Sequence, residues 1–274
     1  MKSESHPQPL LQTLPELTAP PAWRRLAFVS DLHLGPEAPV TTAGFLRWLR
    51  GEALAADALF ILGDLFEAWV GDDLLDAAPP DAHHQVCAAL AAYAASGHAV
   101  RVMHGNRDFL LQQGFARRCG APLLPDPCVL VLAGQRILLT HGDALCISDA
   151  PYLQWRALCR SADWQARFLA QPLQARIEQA ATMRAQSRAA QSRMDTWSDA
   201  DPAEAARWLQ AANSTWMIHG HTHRPREHWD HGQLRQVLSD WDLDAPAGGA
   251  AHRAQALWLH AGGTTLAAER RPAA

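Results

Sequence analysis

Five short clusters of hard donor residues punctuate this 274-residue chain: Asp31-Leu32-His33, Gly63-Asp64, Gly105-Asn106-Arg107-Asp108, His141-Gly142-Asp143 and Gly220-His221-Thr222-His223. Together they offer carboxylate and amide oxygens and imidazole nitrogens, with no thiolate among them. Such a mixture suits two borderline divalent ions, Mn²⁺, Fe²⁺ or Zn²⁺, rather than Ca²⁺, which prefers oxygen alone, or a structural zinc, which favours cysteine. Two cations held side by side clamp a phosphoryl group and assist attack of water on phosphorus. Taken alone, each cluster has an ordinary reading: Asp31 as a helix cap, Asp64 as a turn former, Asn106 as the left-handed residue of a tight turn. Their recurrence at five predicted strand ends is what points to one site. If Asp64 bridges, each ion receives four protein ligands and keeps positions open for water and substrate.

The hydrophobic pattern predicts the elements that position these donors. Residues 1–22 hold Pro7, Pro9, Pro15, Pro20 and Pro21 among polar residues and read as a flexible tail. From Arg24 a strand–helix alternation begins: RLAFVS, TTAGFLRWLRGEALAA, DALFILG, a helix over 82–96, then HAVRVMHG. The strands ending at Ser30, Leu62 and Met103 lack a polar face, which predicts helices on one side and a second sheet or more helices on the other. A short helix over 108–118 leads to CVLVLAG and RILLTHGD, a predicted hairpin. A helix with Asp201 as N-cap, Pro202 in its first turn and Glu204 three residues past the cap returns the chain to β texture in TWMIHGHTH, RQVLSD, AQALWLH and GTTLAAE. The donor clusters fall at the carboxyl ends of predicted strands, where the loops of an α/β sheet converge. Glycines beside them let the chain turn sharply and approach an ion closely.

Between the hairpin and that helix the texture changes. Residues 150–195 read as helical and carry Arg156, Arg160, Arg167, Arg176, Arg184, Arg188 and Arg193, whereas Asp163 and Glu178 are the acids before Met194. Trp155, Leu158, Trp164, Phe168, Leu169, Leu173 and Ile177 lie near helical spacing, and Pro172 predicts the start of a second helix. This reads as a cap inserted into a core formed by 23–149 and 196–274.

Composition excludes several classes. With 24 Lys+Arg against 28 Asp+Glu the net charge is −4, which argues against a general nucleic-acid binder. Five cysteines without a CxxC pair indicate neither a disulfide framework nor a thiolate zinc site, and fit a reducing cytosol. No run approaches the roughly 18 apolar residues of a spanning helix. The proline-interrupted N-terminus lacks a signal-peptide core, so a soluble, non-exported protein is expected.

D-x-H, G-D, G-N, H-G and G-H-x-H in this order resemble the calcineurin-like metallophosphoesterase superfamily. Within it, DLHL, GDLFEAWVGDD, GNRDFL, HGDALC and IHGHTHRP resemble the UDP-2,3-diacylglucosamine pyrophosphatase family of lipid A biosynthesis, from about Phe28 to Arg224. The resemblance implies an α/β sandwich of two mixed β-sheets flanked by helices, with a helical cap insertion. It implies that Asp31, His33 and His223 hold one ion, that Asn106, His141 and His221 hold the other, that Asp64 bridges, and that the ions are Mn²⁺. Asp64, Asn106, Arg107 and His221 are the implied catalytic residues. The implied reaction is attack of water on the α-phosphorus of UDP-2,3-diacylglucosamine, giving UMP and 2,3-diacylglucosamine 1-phosphate.

Implied substrate contacts are Asn106, Arg107, Asp149, Tyr152, Arg184, Ser187, Gln191 and His221. Gln191 stands where asparagine is usual, and Met194 where a lysine is common, which removes a cation. On this reading the apolar stripe of the cap lines a groove for two acyl chains, rather than being simply the buried face of a helical hairpin. Its arginines then face phosphates or anionic lipid, with the protein peripheral on the cytoplasmic face of the inner membrane. No nucleic acid and no protein partner is expected.

Many superfamily members carry a histidine after the asparagine to protonate an alkoxide leaving group; here that residue is Arg107. Arginine is no acid near neutrality, but its planar fork holds two phosphate oxygens. The leaving group must therefore need little protonation, and a phosphomonoester, with a second pKa of about 6, qualifies. The alternatives are another nucleotide phosphodiesterase on this scaffold, a non-catalytic binding module, whose ligand set should be broken, and a nuclease, disfavoured by the acidic total. His104 and His219 are candidates for orienting ligands. Asp72 and Asp73 stay open between helix caps and ligand-orienting acids.

Overall fold

The fold is that of a computed structural model, in which residues 14–77, 79–191, 198–245 and 253–273 are described. One six-stranded sheet is built on parallel strands β2 (Arg25–Val29), β3 (Ala58–Leu62), β4 (Ala99–Met103) and β5 (Leu123–Leu124). It is extended by antiparallel β11 (Gln255–Gly262) and β12 (Thr265–Pro272). The other sheet has the order β1 (Glu16–Thr18), β6 (Cys128–Leu132), β7 (Gln135–Leu139), β8 (Trp216–His219), β10 (Gln233–Val237), β9 (Arg226–Asp230). Both are mixed sheets.

Period-two alternation decides how they stack. Leu26, Phe28, Phe60 and Leu62 point one way and meet Leu130, Ile137, Leu139 and Ile218 of the second sheet in one apolar layer, with Phe28 and Phe60 stacked 4.9 Å apart. Ala27, Val29, Leu59 and Ile61 point the other way, onto α1 (Pro39–Arg50), α2 (Ala82–Ala95) and α3 (Gln113–Cys119). Behind the second sheet, Val129, Leu138 and Met217 pack on α7 (Pro202–Ala211), which Asp201 caps through the Glu204 N–H at 2.8 Å. The expected double cover is present.

Three expectations need correction. Residues 16–18 are not a loose tail: β1 pairs in parallel with β6, Glu16 opposite Val129, as an edge strand whose prolines flank it rather than interrupt it. Residues 1–13 lie outside the described residues. The helix predicted over 108–118 starts only at Gln113. Before it, the Asp108 carboxylate binds the N–H groups of Gly105 and Leu65, and Asp72 accepts from the Gln112 and Phe115 N–H groups. The cap holds three helices, α4 (Ala150–Cys159), α5 (Ala162–Leu169) and α6 (Leu173–Gln191), because the Ser161 hydroxyl caps α5 through the Trp164 N–H.

The apolar stripe of the cap divides. Phe168 is buried in the core under Trp164, and Leu169 and Leu173 pack beside it, whereas Leu158 and Ile177 are 50% and 36% exposed. No described helix is long and apolar enough to cross a membrane.

Candidate active site

The carboxyl ends of β2, β3, β4, β7 and β8 meet at one rim of the sandwich and deliver Asp31/His33, Asp64, Asn106, His141 and His221/His223 respectively. Five of these residues have left-handed backbone: Asp31 (φ 53°), His33 (49°), Asp64 (52°), His221 (67°) and His223 (53°). L-residues adopt it at a cost of about 1–3 kcal/mol each, and surrounding bonds must hold them there. They do: Asp31 N–H donates to the Gly63 carbonyl, His33 N–H to the Asp64 carbonyl at 3.0 Å, and Trp241 N–H to the Asp31 carbonyl. The chain comes so close that a Cβ on Gly220 would lie 2.2 Å from Asp31 Oδ2.

One group gathers Asp31, His33 and His223, and a second gathers Asp31, Asp64 and His141. In the first, the Nε2 atoms of His33 and His223 face each other at 3.4 Å, with Asp31 Oδ1 3.5 Å from the His223 nitrogen. The Nδ1 atoms face carboxylates instead: Glu67 Oε2 is 3.1 Å from His33, a close ion-pair distance off the line of a hydrogen bond, and Asp240 Oδ2 is 3.4 Å from His223. Lone pairs therefore converge, and Asp31 Oδ1 is buried without a hydrogen-bond partner. A cation fits such a place; in its absence a proton does.

The second group is completed by Asn106. Its Oδ1 lies 3.0 Å from His141 Nε2 and 2.9 Å from His221 Nδ1, while His141 Nδ1 donates to the Leu62 carbonyl. Asp64 stands between the groups, with Oδ2 3.8 Å from His33 Nε2 and Oδ1 3.9 Å from His141 Nε2. Oxygen and imidazole donors in this density, without thiolate, fit borderline divalent ions.

Charge balance supports the same fit. Burial opposes a proton on His223, but Asp240 and Asp31 outweigh it and push the ring up to about 10. Burial likewise opposes charge on His141, and Asp64 with Asp31 raises it to about 9. Burial and then the neighbouring His141 charge push His221 down to about 4, so it is neutral. Near neutral pH the metal-free protein thus holds protons on His141 and His223 that a cation must displace. Loading two cations is expected to release about two protons per chain, and affinity is expected to rise with pH toward 9. Calorimetry in two buffers of different ionisation enthalpy measures this release; a value near zero would contradict the assignment.

Arg107 donates its backbone N–H to Asp64 Oδ1 at 2.8 Å, and its Nε is buried without a partner. Tyr152 hydrogen-bonds Asp143 through its hydroxyl and stacks over His221 with ring centroids 6.1 Å apart. Asp149 caps α4 by accepting from the Tyr152 N–H. Arg184 lies 3.1 Å from Glu37 and 3.9 Å from Glu67, at the border of the first group. Ser187 and Gln191 belong to α6, but their side chains lie outside the description, as do Arg193 and Met194.

Several cap arginines are internal. Arg156 binds Asp143 at 2.8 Å and Asp126 at 3.3 Å; Arg160 reaches Asp143 and the Gly105 carbonyl. Arg176, 2% exposed, grips Asp73 and the Val70 carbonyl. These corrections shrink the basic face expected from the sequence: Asp143 and Asp126 seat α4 on the metal-loop side, and Asp73 seats α6. Asp72 serves α3 as an acceptor.

His219 is fully buried, donates from Nδ1 to Gly220 and accepts from Arg235 at Nε2; burial and that guanidinium push it down to about 3. Among the described contacts neither His219 nor His104, which donates to Leu111, orients a donor nitrogen of the two groups. The residues that do were missed. Glu67 lies inside GDLFEAWVGDD but carries no local signal, and Asp240 is brought in by the turn after β10.

The profile of the family described as calcineurin-like phosphoesterase matches residues 24–225. A protein of Stenotrophomonas maltophilia (strain K279a) named UDP-2,3-diacylglucosamine hydrolase is 47% identical over 226 residues, covering 78% of this chain and 90% of its own. One of the same name from Escherichia coli O127:H6 is 49% identical over 222 residues, 79% of this chain and 91% of that one. Another, from Enterobacter sp. (strain 638), is 49% identical over 202 residues, 73% and 82%.

Proposed function

The chain belongs to the calcineurin-like phosphoesterase family, alongside relatives named UDP-2,3-diacylglucosamine hydrolase, and on that premise we propose that it hydrolyses the pyrophosphate bond of UDP-2,3-diacylglucosamine, giving UMP and 2,3-diacylglucosamine 1-phosphate in lipid A synthesis. The observation that carries this reading is the convergence of Asp31, His33, Asp64, Asn106, His141, His221 and His223 around one carboxylate, Asp64, that faces both groups. Asp31, His33 and His223 would hold one divalent cation, Asn106, His141 and His221 the other, with Asp64 shared; Mn²⁺ suits this donor set. Bound there, the cations supply Lewis-acid activation of water and neutralise charge on the phosphoryl oxygens.

The remaining steps belong to side chains. Arg107, with its backbone locked on Asp64 and an unpartnered Nε, holds phosphate oxygens through its fork. It supplies no proton, and none is needed when the leaving group is a phosphomonoester. Tyr152 of α4 stacks over His221 and Arg184 of α6 stands 3.9 Å from Glu67, so the cap supplies side chains at the border of both groups. Arg107→His is expected to lower turnover by well over about tenfold, because a single-point donor replaces the bidentate fork. Steady-state kinetics checks it; unchanged values would remove this role.

Hydrolysis in ¹⁸O-labelled water tests the direction of attack. Label in UMP supports attack at the α-phosphorus, and label in the sugar phosphate refutes it. The lipid substrate also calls for a surface. Exposed Leu158 and Ile177, with Arg167 exposed on α5, support peripheral seating on the anionic cytoplasmic face of the inner membrane. Each basic residue near such a surface contributes about 1 kcal/mol. Binding to phosphatidylglycerol vesicles should therefore weaken in high salt, and salt-independent binding would contradict the electrostatic part.

A further inference from the structure

The two cation positions differ in what stands behind them. Behind His33 and His223 are carboxylates, Glu67 at 3.1 Å and Asp240 at 3.4 Å from the Nδ1 atoms. Behind His141 is a neutral oxygen, the Leu62 carbonyl 3.0 Å from Nδ1, while His221 turns its Nδ1 inward, 2.9 Å from the ligand oxygen of Asn106. A carboxylate this close to Nδ1 favours the tautomer that carries its proton there, leaves Nε2 as ligand and, through its charge, raises the basicity of that atom. A neutral carbonyl fixes the tautomer and adds less charge.

Asp240 is built for this place. It follows β10 and lies beyond the family-matched residues 24–225. Its neighbour Trp241 donates its N–H to the Asp31 carbonyl at 3.0 Å, which ties the segment to the site. Arg253 grips at 2.6 Å the same Asp240 Oδ2 that faces His223, and Asp240 Oδ1 is buried without a partner. The Asp240 side chain is only 5% exposed. Arg253 draws on the carboxylate's charge, as Arg184 does at 3.9 Å from Glu67, but its hydrogen bond also fixes the orientation of Asp240.

Resting on the two-cation reading above, we propose that the position formed by Asp31, His33 and His223 is the tighter of the two, and that Asp240 and Glu67 make it so as positioning residues. Asp64 is common to both positions and cancels in the comparison, and the Asp31 carboxylate in one against the Asn106 amide in the other adds to the same difference. The chain beyond the matched family segment thereby takes part in metal loading.

The test is titration of metal-stripped protein with Mn²⁺ alone, followed by electron paramagnetic resonance. The first equivalent should give an isolated six-line spectrum, and the second, bound at least about tenfold more weakly, should bring in spin coupling between the ions. Asp240→Asn, nearly isosteric, should weaken the first step by about 10–100-fold and leave the second within about threefold. Glu67→Gln repeats the test independently if that variant fails to fold. Two equal steps in the unmodified protein, or a first step unchanged in both variants, would overturn the inference while leaving the two-cation reading intact. No Mn²⁺ binding at all would overturn both.

Discussion

Asp64→Asn is expected to lower turnover by at least about 1,000-fold, some 4 kcal/mol of transition-state stabilisation, while the protein stays folded. The substitution keeps the shape, keeps an oxygen able to accept the Arg107 N–H now held at 2.8 Å, and suits the φ of 52°, which asparagine tolerates better than most residues. What it removes is the shared negative charge. Asp64 Oδ2 and Oδ1 face His33 and His141 at 3.8 and 3.9 Å, so both groups lose their common ligand at once. Bound metal, measured by elemental analysis, should fall below two ions per chain, with circular dichroism unchanged. Activity within about tenfold of the parent would mean that Asp64 is not shared.

Gly105→Ala should be almost as damaging although it adds one methyl group. A Cβ there would lie 2.0 Å from Asp64 Oδ1 and 2.3 Å from the Asp64 backbone nitrogen, and the backbone partner cannot swing aside. The loop carrying Asn106 and Arg107 must then retreat from the loop carrying Asp64. A misplacement on the order of 1 Å in a reacting constellation costs about 100-fold in rate, so turnover should fall by at least that much. Gly134→Ala is the control, since a Cβ at that hairpin turn meets nothing within 4 Å. It has a positive φ of 78° and should lose stability but no activity. If Gly105→Ala kept full turnover, close approach of the two loops would be unnecessary.

The glycine-flanked donors were legible because one local requirement, a sharp turn at a strand end with a ligand against the backbone, fixes both residue types. Asp240 and Glu67 carry no such mark. Asp240 becomes a neighbour of His223 only because β10 lies beside β8 in the sheet. Counting arginines in the cap revealed a charge excess but not its disposition, since the acids that absorb it, Asp126, Asp143 and Asp73, lie outside the segment in sequence. The break at Ser161 was missed because neither proline nor glycine marks it, and β1 because proline content reports flexibility poorly when the prolines bracket a strand. The sandwich itself was readable, because strands apolar on both faces need two covers.

Hydrolysis of UDP-2,3-diacylglucosamine by metal-stripped protein, compared with a plain nucleotide diester before and after Mn²⁺ is added back, tests the central claim most directly. UMP should appear rapidly from the acylated substrate, only with metal present, and the diester should remain intact. Cleavage of the diester instead would keep the metal centre and contradict the lipid assignment. Silence on both substrates would contradict catalysis altogether and leave a binding surface on this fold.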